Sequence, residues 1–456
     1  MGEPFGGRSE AGIGFASTAV GLLIALAVFP DDPSPRGALT LPALVLTAGI
    51  LLVPVSRAIR RSPDLLGAEN LVAFGYVFWL LLDLIQGAYD LRDAADWALR
   101  DAFIAIGVSA AAMWIGVAGK PWKLPDWLGE IASRTMDTRT VARLVPLCFA
   151  LGMFNFAYST GFDLPRMFSY LGESRWSAPW GRGQLGGWDA FGDQLQYFGY
   201  VLPSLTALLI ARRGFTFGAW LSVLLSAIML AFLSQGGGRR IIGVTVGAAI
   251  LVWIQAQQEL RVRRLVIAGA IVVGMLTVMQ LMLNIRGQGY AEFAFRGESE
   301  YDYLHVDDNY LRLAQVMQIV PAEHPFVEYR QLWFTIVRPV PRVFWPGKPV
   351  DPGFDLPAIV GMRGVSLSTS IIGEWYLTYG WIMIVVGGWL HGRLSRTVNQ
   401  LREFEIYRTN PIVYGLAVMV LVSGMRSMQD LIIMSYALVA WWGVNRLVRD
   451  RKLPTR

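Results

Sequence analysis

Long hydrophobic runs, separated by short polar segments, fill most of the chain. A transmembrane helix needs about 20 apolar residues to cross a hydrocarbon core of about 30 Å. Runs of this kind occupy residues 11–29, 40–56, 70–88, 102–118, 141–160, 194–211, 215–234, 241–257, 265–284, 371–390, 411–425 and 431–445. The pattern predicts an all-α polytopic membrane protein with about 12 transmembrane helices.

A long polar and aromatic segment separates the ninth run from the tenth. It divides the chain into three parts. Residues 1–284 carry the first nine predicted spans, residues 285–370 form a large loop, and residues 371–456 carry the last three spans and a tail.

The large loop contains helical patterns of its own. Asp307 and Asp308 precede apolar positions three and four residues apart, which predicts a capped amphipathic helix that ends at Pro321. Its apolar side could lie on the membrane or pack against other spans. A second helix is predicted at 326–337.

Composition supports the membrane class. Hydrophobic residues make up 54% of the chain and charged residues 16%, which is too few polar residues for the surface of a soluble domain. The lone Cys148 excludes an internal disulfide or a thiolate metal cluster. Asp83 is a charge inside a predicted span. It could cap a neighbouring helix or lie near the outer interface, and either role explains it better than ion-coupled transport does. The net charge of +6 suits a protein that handles anionic lipids, and nothing indicates nucleic-acid binding.

The loop charges predict the orientation. An even number of spans puts both termini on one side. The short segments on that side carry more Lys and Arg than the short loops opposite, so the positive-inside rule predicts cytoplasmic termini. The large loop then faces outward, because long loops are translocated largely regardless of charge.

Two short outer turns carry arginines that the positive-inside rule disfavours. Arg239 and Arg240 follow three glycines, and Arg426 lies between the last two spans. Their side chains could simply extend to lipid headgroups. Alternatively, glycines let the backbone approach a ligand, and paired guanidinium groups can clamp a phosphate. We predict that Arg239 and Arg240 bind an anionic ligand, with Arg426 as a further candidate.

A proline-rich turn in the large loop presents three more cations. Arg338, Arg342 and Lys348 lie within eleven residues, between prolines 339, 341, 346 and 349. Because proline restricts the backbone, we expect a rigid turn at the surface or beside a cavity. The alternative is a surface loop with solvated arginines. Arg286 and Arg330 are second candidates for the same ligand.

Candidate proton acceptors are few. Glu374 lies near the outer end of the tenth run, where a carboxylate must be paired or protonated. It could form a structural ion pair with a loop arginine, or it could deprotonate a hydroxyl group. His324 titrates in a suitable range, and Glu298, Glu300 and Asp302 are further carboxylates in the loop.

The segment "VPAEHPFVEYRQLWFTIVRPVPRVFWPGKP", followed by "STSIIGEWYLTYG", resembles the bacterial oligosaccharide repeat-unit polymerases of the Wzy-type O-antigen group. The Gly-Gly-Arg-Arg turn is similar to an element often found there. The resemblance covers about residues 235–380. It implies a GT-C-like fold and polymerisation of polyprenyl-diphosphate-linked repeat units at the outer face of the bacterial inner membrane.

The resemblance also implies partners and a mechanism. The donor would be an undecaprenyl-diphosphate-linked oligosaccharide in the bilayer, and a chain-length regulator protein is a candidate partner. No cofactor is expected, and the absence of an Asp-X-Asp pair in the loop favours metal-independent transfer. Glu374 and His324 would be catalytic, and the arginines and Lys348 would bind the diphosphate. A ligase that transfers the same glycan elsewhere, a flippase or exporter, and a non-catalytic assembly scaffold are the alternatives.

Overall fold

The computed structural model describes residues 8–173, 177–182, 189–235, 238–257, 261–285, 302–338, 340, 342–349, 351–362, 367–402 and 410–447. All elements of regular secondary structure in these residues are helical.

The α-helices are, in chain order, α1 (Arg8–Ala27), α2 (Thr40–Ile59), α3 (Ala68–Tyr76), α4 (Leu82–Gln86), α5 (Asp96–Ala118), α6 (Asp126–Ser133), α7 (Thr138–Ser159), α8 (Leu164–Ser169), α9 (Asp189–Gln194), α10 (Gln196–Arg213), α11 (Phe217–Ser234), α12 (Arg239–Gln255), α13 (Val262–Ile285), α14 (Asn309–Ile319), α15 (Arg330–Val337), α16 (Leu356–Ile359), α17 (Ser370–Tyr379), α18 (Trp381–Val398), α19 (Asn410–Gly424) and α20 (Met428–Leu447). A π-helical turn, Val77–Leu81, joins α3 to α4. Short 3₁₀ turns occur at Pro63–Leu66, Tyr170–Gly172, Pro179–Arg182 and Asn399–Leu401.

The predicted class, an α-helical membrane protein, is confirmed. Within the described residues, seven helices are long and apolar enough to cross a membrane: α1, α2, the continuous Ala68–Gln86 helix, α5, α7, α11 and α13. The other predicted runs are helical as well and correspond to α10, α12, α17 with α18, α19 and α20.

The tenth predicted span differs from its prediction. Instead of one helix over 371–390, the structure has α17 and α18, which meet at Gly380. Gly380 has a φ of 67°, which stops the first helix because only glycine adopts this conformation without strain. The second helix then continues to Val398, beyond the predicted end.

Helix α5 lies at the centre of the packing and contacts α1, α14 and α18. Its closest neighbour is α18, where small residues let the two backbones approach. A Cβ atom at Gly392 would overlap the carbonyl oxygen of Met113, and one at Gly388 would overlap that of Ser109. Such close approach is the usual way in which helices associate in a membrane, where dispersion and interhelical contacts replace the hydrophobic effect.

We therefore expect Gly392→Ala to lower the melting temperature of the purified protein in detergent. The added methyl group overpacks the α5–α18 contact, at a cost of about 1–3 kcal/mol. Gly269→Ala, on α13, is the matched control, because a Cβ atom there meets nothing within 4 Å. Equal melting curves for the two variants would show that α5 and α18 are not packed as described.

The first helix of the large loop is buried rather than laid on the membrane. Helix α14 packs between α5 and α17, and almost all of its residues are buried. The Tyr310 hydroxyl donates to the Leu99 carbonyl at 2.7 Å, and the Asn309 amide donates to the Trp79 carbonyl at 3.1 Å. The predicted cap is absent: Asp308 stands at the N-cap position, but its carboxylate pairs with Arg312 at 2.8 Å.

Candidate functional site

A chain of alternating charges lies at one end of the helix bundle. It joins the first turn of α12, the start of α20 with the turn before it, and the segment that precedes α14. Arg240 Nη1 lies 2.9 Å from Asp430 Oδ1, and Asp430 Oδ2 lies 3.1 Å from Arg426 Nη1. Arg426 Nε in turn lies 2.6 Å from Asp307 Oδ2. The Asp430 side chain is 2% exposed, whereas that of Arg240 is 39% exposed. We call these four residues the Arg–Asp chain.

The local helix geometry explains this arrangement. Asp430 lies in the first turn of α20, where the backbone dipole favours a negative charge. The Ser427 hydroxyl accepts a hydrogen bond from the Asp430 amide at 3.0 Å and so caps the same turn. Arg240 lies in the first turn of α12, where the dipole disfavours a cation. Its pairing with Asp430 offsets that disadvantage.

Arg426 has protein partners on two of its nitrogens. Burial disfavours the charged guanidinium, but the Asp307 and Asp430 carboxylates outweigh this effect and raise the pKa of Arg426 above its ordinary value. Its backbone carbonyl also accepts a hydrogen bond from the Ser368 hydroxyl at 2.8 Å. Neither a headgroup contact nor a ligand contact, the two roles considered from sequence, is needed to explain this residue.

The twin arginines point to different partners. Arg239 donates to the carbonyl oxygens of His305 at 2.9 Å and of Val306 at 3.4 Å. It therefore holds the segment that leads into α14. The Asp83 carboxylate is buried beside the same segment and interacts with the backbone of Val306 and Asp307. Asp83 is thus a structural partner, as its isolated position in the sequence suggested.

The three cations of the proline-rich turn do come together. Lys348 Nζ donates to the carbonyls of Arg338 at 3.1 Å and of Val340 at 2.8 Å, which closes the turn. Partial burial, followed by the proximity of Arg338 and Arg342, lowers the pKa of Lys348. Prolines 339 and 341 lie outside the described residues. Arg330 begins α15, and its side chain is exposed.

A tyrosine pair connects this turn with the Arg–Asp chain. The rings of Tyr197 on α10 and Tyr436 on α20 lie 5.0 Å apart. Arg240 and Arg338 both act electrostatically on the Tyr197 hydroxyl, and Arg338 also acts on that of Tyr436. Two arginines that are distant in the sequence therefore influence the same tyrosine.

Glu374 has a capping role in the structure. Its side chain is buried on α17, and Oε2 accepts a hydrogen bond from the amide of Met428, the first residue of α20. The Gln331 side chain from α15 interacts with the same carboxyl group. Glu374 thus joins three helices, which corresponds to the structural role considered from sequence, although its partners are amides rather than a loop arginine.

The capping role predicts different results for two substitutions of Glu374. Glu374→Gln keeps an oxygen that can accept from Met428, so we expect stability and activity close to those of the unchanged protein. Glu374→Ala leaves a buried amide unpaired, and we expect a loss of about 1–3 kcal/mol of stability. Thermal unfolding and product formation measure both effects. A stable but inactive Glu374→Gln variant would identify Glu374 as the base instead.

The remaining base candidates lie apart from these contacts. His324 Nδ1 lies 2.6 Å from the Pro325 carbonyl oxygen, and its ring packs edge-on against Phe354. Asp302 pairs with Arg36 at 2.7 Å, and this hydrogen bond lowers the pKa of Asp302. Arg286, Glu298 and Glu300 lie outside the described residues.

Sequence reasoning missed Asp430, Tyr197 and Tyr436, and it interpreted Asp307 only as a helix start. A local signal existed for Asp430 alone, because it follows Arg426 by only four residues and has the opposite charge.

No protein-family model, curated protein or solved structure matches this chain. The resemblance stated above therefore depends on the quoted segments alone. The helices establish the class, an α-helical membrane protein, and its activity is inferred from the site.

Proposed function

We propose that this protein is a membrane-embedded glycosyltransferase that polymerises polyprenyl-diphosphate-linked oligosaccharide repeat units. The observation that supports this most is the partly exposed guanidinium of Arg240, which the buried Asp430 carboxylate holds at 2.9 Å. Arg240 and Arg338 also act electrostatically on the same residue, Tyr197. Lys348 bonds to the Arg338 carbonyl and interacts electrostatically with Arg338 and Arg342. Guanidinium groups are suited to this ligand because they bind phosphate oxygens with two parallel hydrogen bonds.

The excess positive charge at this site comes from the proline-rich turn and not from the Arg–Asp chain. The Arg–Asp chain contains two arginines and two aspartates, so its charges balance. The stretch 329–348 contains arginines and a lysine but no Asp or Glu. In this proposal the proline-rich turn attracts the diphosphate, and Arg240, held by Asp430, supplies directed hydrogen bonds.

The reaction is a displacement at the anomeric carbon of the lipid-linked glycan. An acceptor-sugar hydroxyl oxygen forms the new bond to that carbon, and the bond from the carbon to the diphosphate oxygen breaks. The bonding electrons leave with the polyprenyl diphosphate, and the hydroxyl proton passes to a base. Charge grows on the leaving diphosphate, so fixed cations stabilise the transition state more than the ground state. Among the described base candidates, Glu374 caps α20 and Asp302 is paired with Arg36, which leaves His324 as the candidate base.

The membrane arrangement belongs to the same proposal. The helices of the five other apolar runs would also cross the bilayer, giving a GT-C-like architecture with about 12 spans. Both termini would lie in the cytoplasm of a bacterial cell, and the proline-rich turn would face the periplasm. The distribution of Lys and Arg among the short loops favours this orientation.

The test is glycan elongation by the purified protein. The protein in detergent or nanodiscs is mixed with an undecaprenyl-diphosphate-linked repeat unit, and the products are separated on a gel. We expect a ladder of longer lipid-linked glycans. Transfer of single units to a different acceptor, such as lipid A, would identify a ligase. Intact substrate after incubation with folded protein would contradict transferase activity altogether.

A further inference from the structure

Helix α15 has one buried and one exposed face, although both carry large side chains. Its buried face packs on α17 and α20 through Gln331, Phe334, Thr335 and Val337. Trp333 and Ile336 are exposed on the opposite face, and Tyr329 just before the helix and Val340 just after it are exposed as well. Ile336 is 62% exposed. No packing within the described residues covers this face.

The proline-rich turn extends the exposed face. Phe344 is 65% exposed and Trp345 is also exposed. The rings of Trp333 and Trp345 lie 6.3 Å apart, so the two segments form one surface. We call this surface the α15 patch; it consists of Tyr329, Trp333, Ile336, Val340, Phe344 and Trp345. Water-exposed apolar surfaces of this extent are unfavourable and mark interaction sites.

The patch lies near the start of the apolar helix α18. The Val327 amide donates to the Leu377 carbonyl at 2.9 Å, so the start of α15 is fixed beside the end of α17. Three residues that follow are also exposed: Tyr379, Trp381 and Ile382. Tyr and Trp are enriched where a membrane protein passes from headgroups to hydrocarbon.

The segment that forms the patch is rich in cations. Arg330, Arg338, Arg342 and Lys348 are the charged residues of 329–348, and one exposed acidic residue, Glu328, precedes it. An amphipathic surface with aromatic side chains on one face and Lys or Arg around it is typical of segments that lie in the membrane interface. Cations beside an anionic leaflet are attracted to it, and salt screens this attraction.

We propose that the α15 patch inserts into the interface of a bilayer that contains anionic phospholipid. Its aromatic and aliphatic side chains enter the boundary between headgroups and acyl chains, and the surrounding cations contact lipid phosphates. Charge complementarity favours this occupant over a second copy of the chain, because two patches would bring like charges together. Arg338, Arg342 and Lys348 take part in both proposals, but the docking is tested without any glycan substrate.

Site-directed labelling tests this docking. The natural Cys148 is buried, so the unchanged protein serves as the labelling blank. A polarity-sensitive fluorophore is attached to Ile336→Cys, within the patch, or to Glu323→Cys, an exposed control between α14 and α15. Both variants are placed in nanodiscs of phosphatidylcholine and phosphatidylglycerol, with or without lipids that carry an acyl-chain quencher.

We expect the quencher lipid to reduce fluorescence at position 336 at least about twofold more than at position 323, since only the patch enters the bilayer. Replacing phosphatidylglycerol by phosphatidylcholine, or adding salt, should weaken the quenching at 336. An unquenched label at 336 would overturn the proposal, as would cross-linking at 336 between two copies. Quenching that is insensitive to lipid charge would overturn the anionic-lipid part. Elongation assays are independent of all these readouts.

Discussion

Asp430→Ala should destabilise the protein by about 3 kcal/mol, because it leaves the partly buried Arg426 and Arg240 without their shared carboxylate. Asp430 is 2% exposed and bonds to both guanidinium groups. Removing one member of a buried ionic group costs more than the group contributes, since the remaining charge stays desolvated. Unfolding of the detergent-solubilised protein, followed by circular dichroism, measures the effect.

A surface pair provides the control for this prediction. Asp302 pairs with Arg36, but both side chains are largely exposed. Asp302→Ala should therefore leave the unfolding transition almost unchanged, because exposed ion pairs are screened by solvent. If Asp302→Ala and Asp430→Ala shifted the transition equally, the Arg–Asp chain would not be a buried network.

A double-substitution cycle tests the network directly. Arg426→Leu and Asp430→Ala each break the same contact, so their combined effect should be smaller than the sum of the separate effects. Residues that share one charged network have coupling energies of about 0.5–3 kcal/mol. Additive effects would indicate that Arg426 and Asp430 do not act as one unit.

The helical class was predictable because the physical requirement is local. A run of apolar residues long enough to cross the hydrocarbon core is visible in the sequence itself. The grouping of Arg338, Arg342 and Lys348 was predictable for a similar reason, since they lie close together in one short segment. Helix α14 was also predicted from its spacing.

Long-range relations were not predictable. An amphipathic pattern does not distinguish a membrane surface from a neighbouring helix, so the burial of α14 between α5 and α17 required the structure. Asp307 reaches Arg426 across more than a hundred residues, and no local pattern connects them. The break at Gly380 was missed because a glycine inside an apolar run does not reveal its φ angle.

The Arg–Asp chain separates the predicted arginines into those with a structural role and those suited to ligand binding. Arg239 and Arg426 are bonded to loop carbonyls or to carboxylates, so they shape the site. Arg240 is partly exposed and is oriented by a buried carboxylate. Arg338 and Arg342 belong to a segment without nearby acidic residues in the sequence. A ligand-binding role therefore fits Arg240, Arg338 and Arg342 better than it fits Arg239 and Arg426.

Arg342→Ala and Arg240→Ala should consequently affect different kinetic constants in the elongation assay. The Arg342 substitution removes a cation of the attracting turn, so the main expected effect is a higher KM and a weaker dependence of KM on salt. The Arg240 substitution removes directed hydrogen bonds to the leaving diphosphate. We expect kcat to fall by about 10²–10³-fold, the usual cost of losing one fixed donor to a developing negative charge.

Two further variants determine whether geometry or charge matters at Arg240. Arg240→Lys keeps the charge but replaces the planar fork by a point charge, so we expect only partial recovery of kcat. Arg446→Ala is the matched control, since Arg446 lies at the opposite end of α20 from Asp430 and forms an exposed pair with Glu130. Full recovery in Arg240→Lys would reduce the role of Arg240 to charge alone. Wild-type elongation by a folded Arg240→Ala variant would show that Arg240 does not bind the diphosphate.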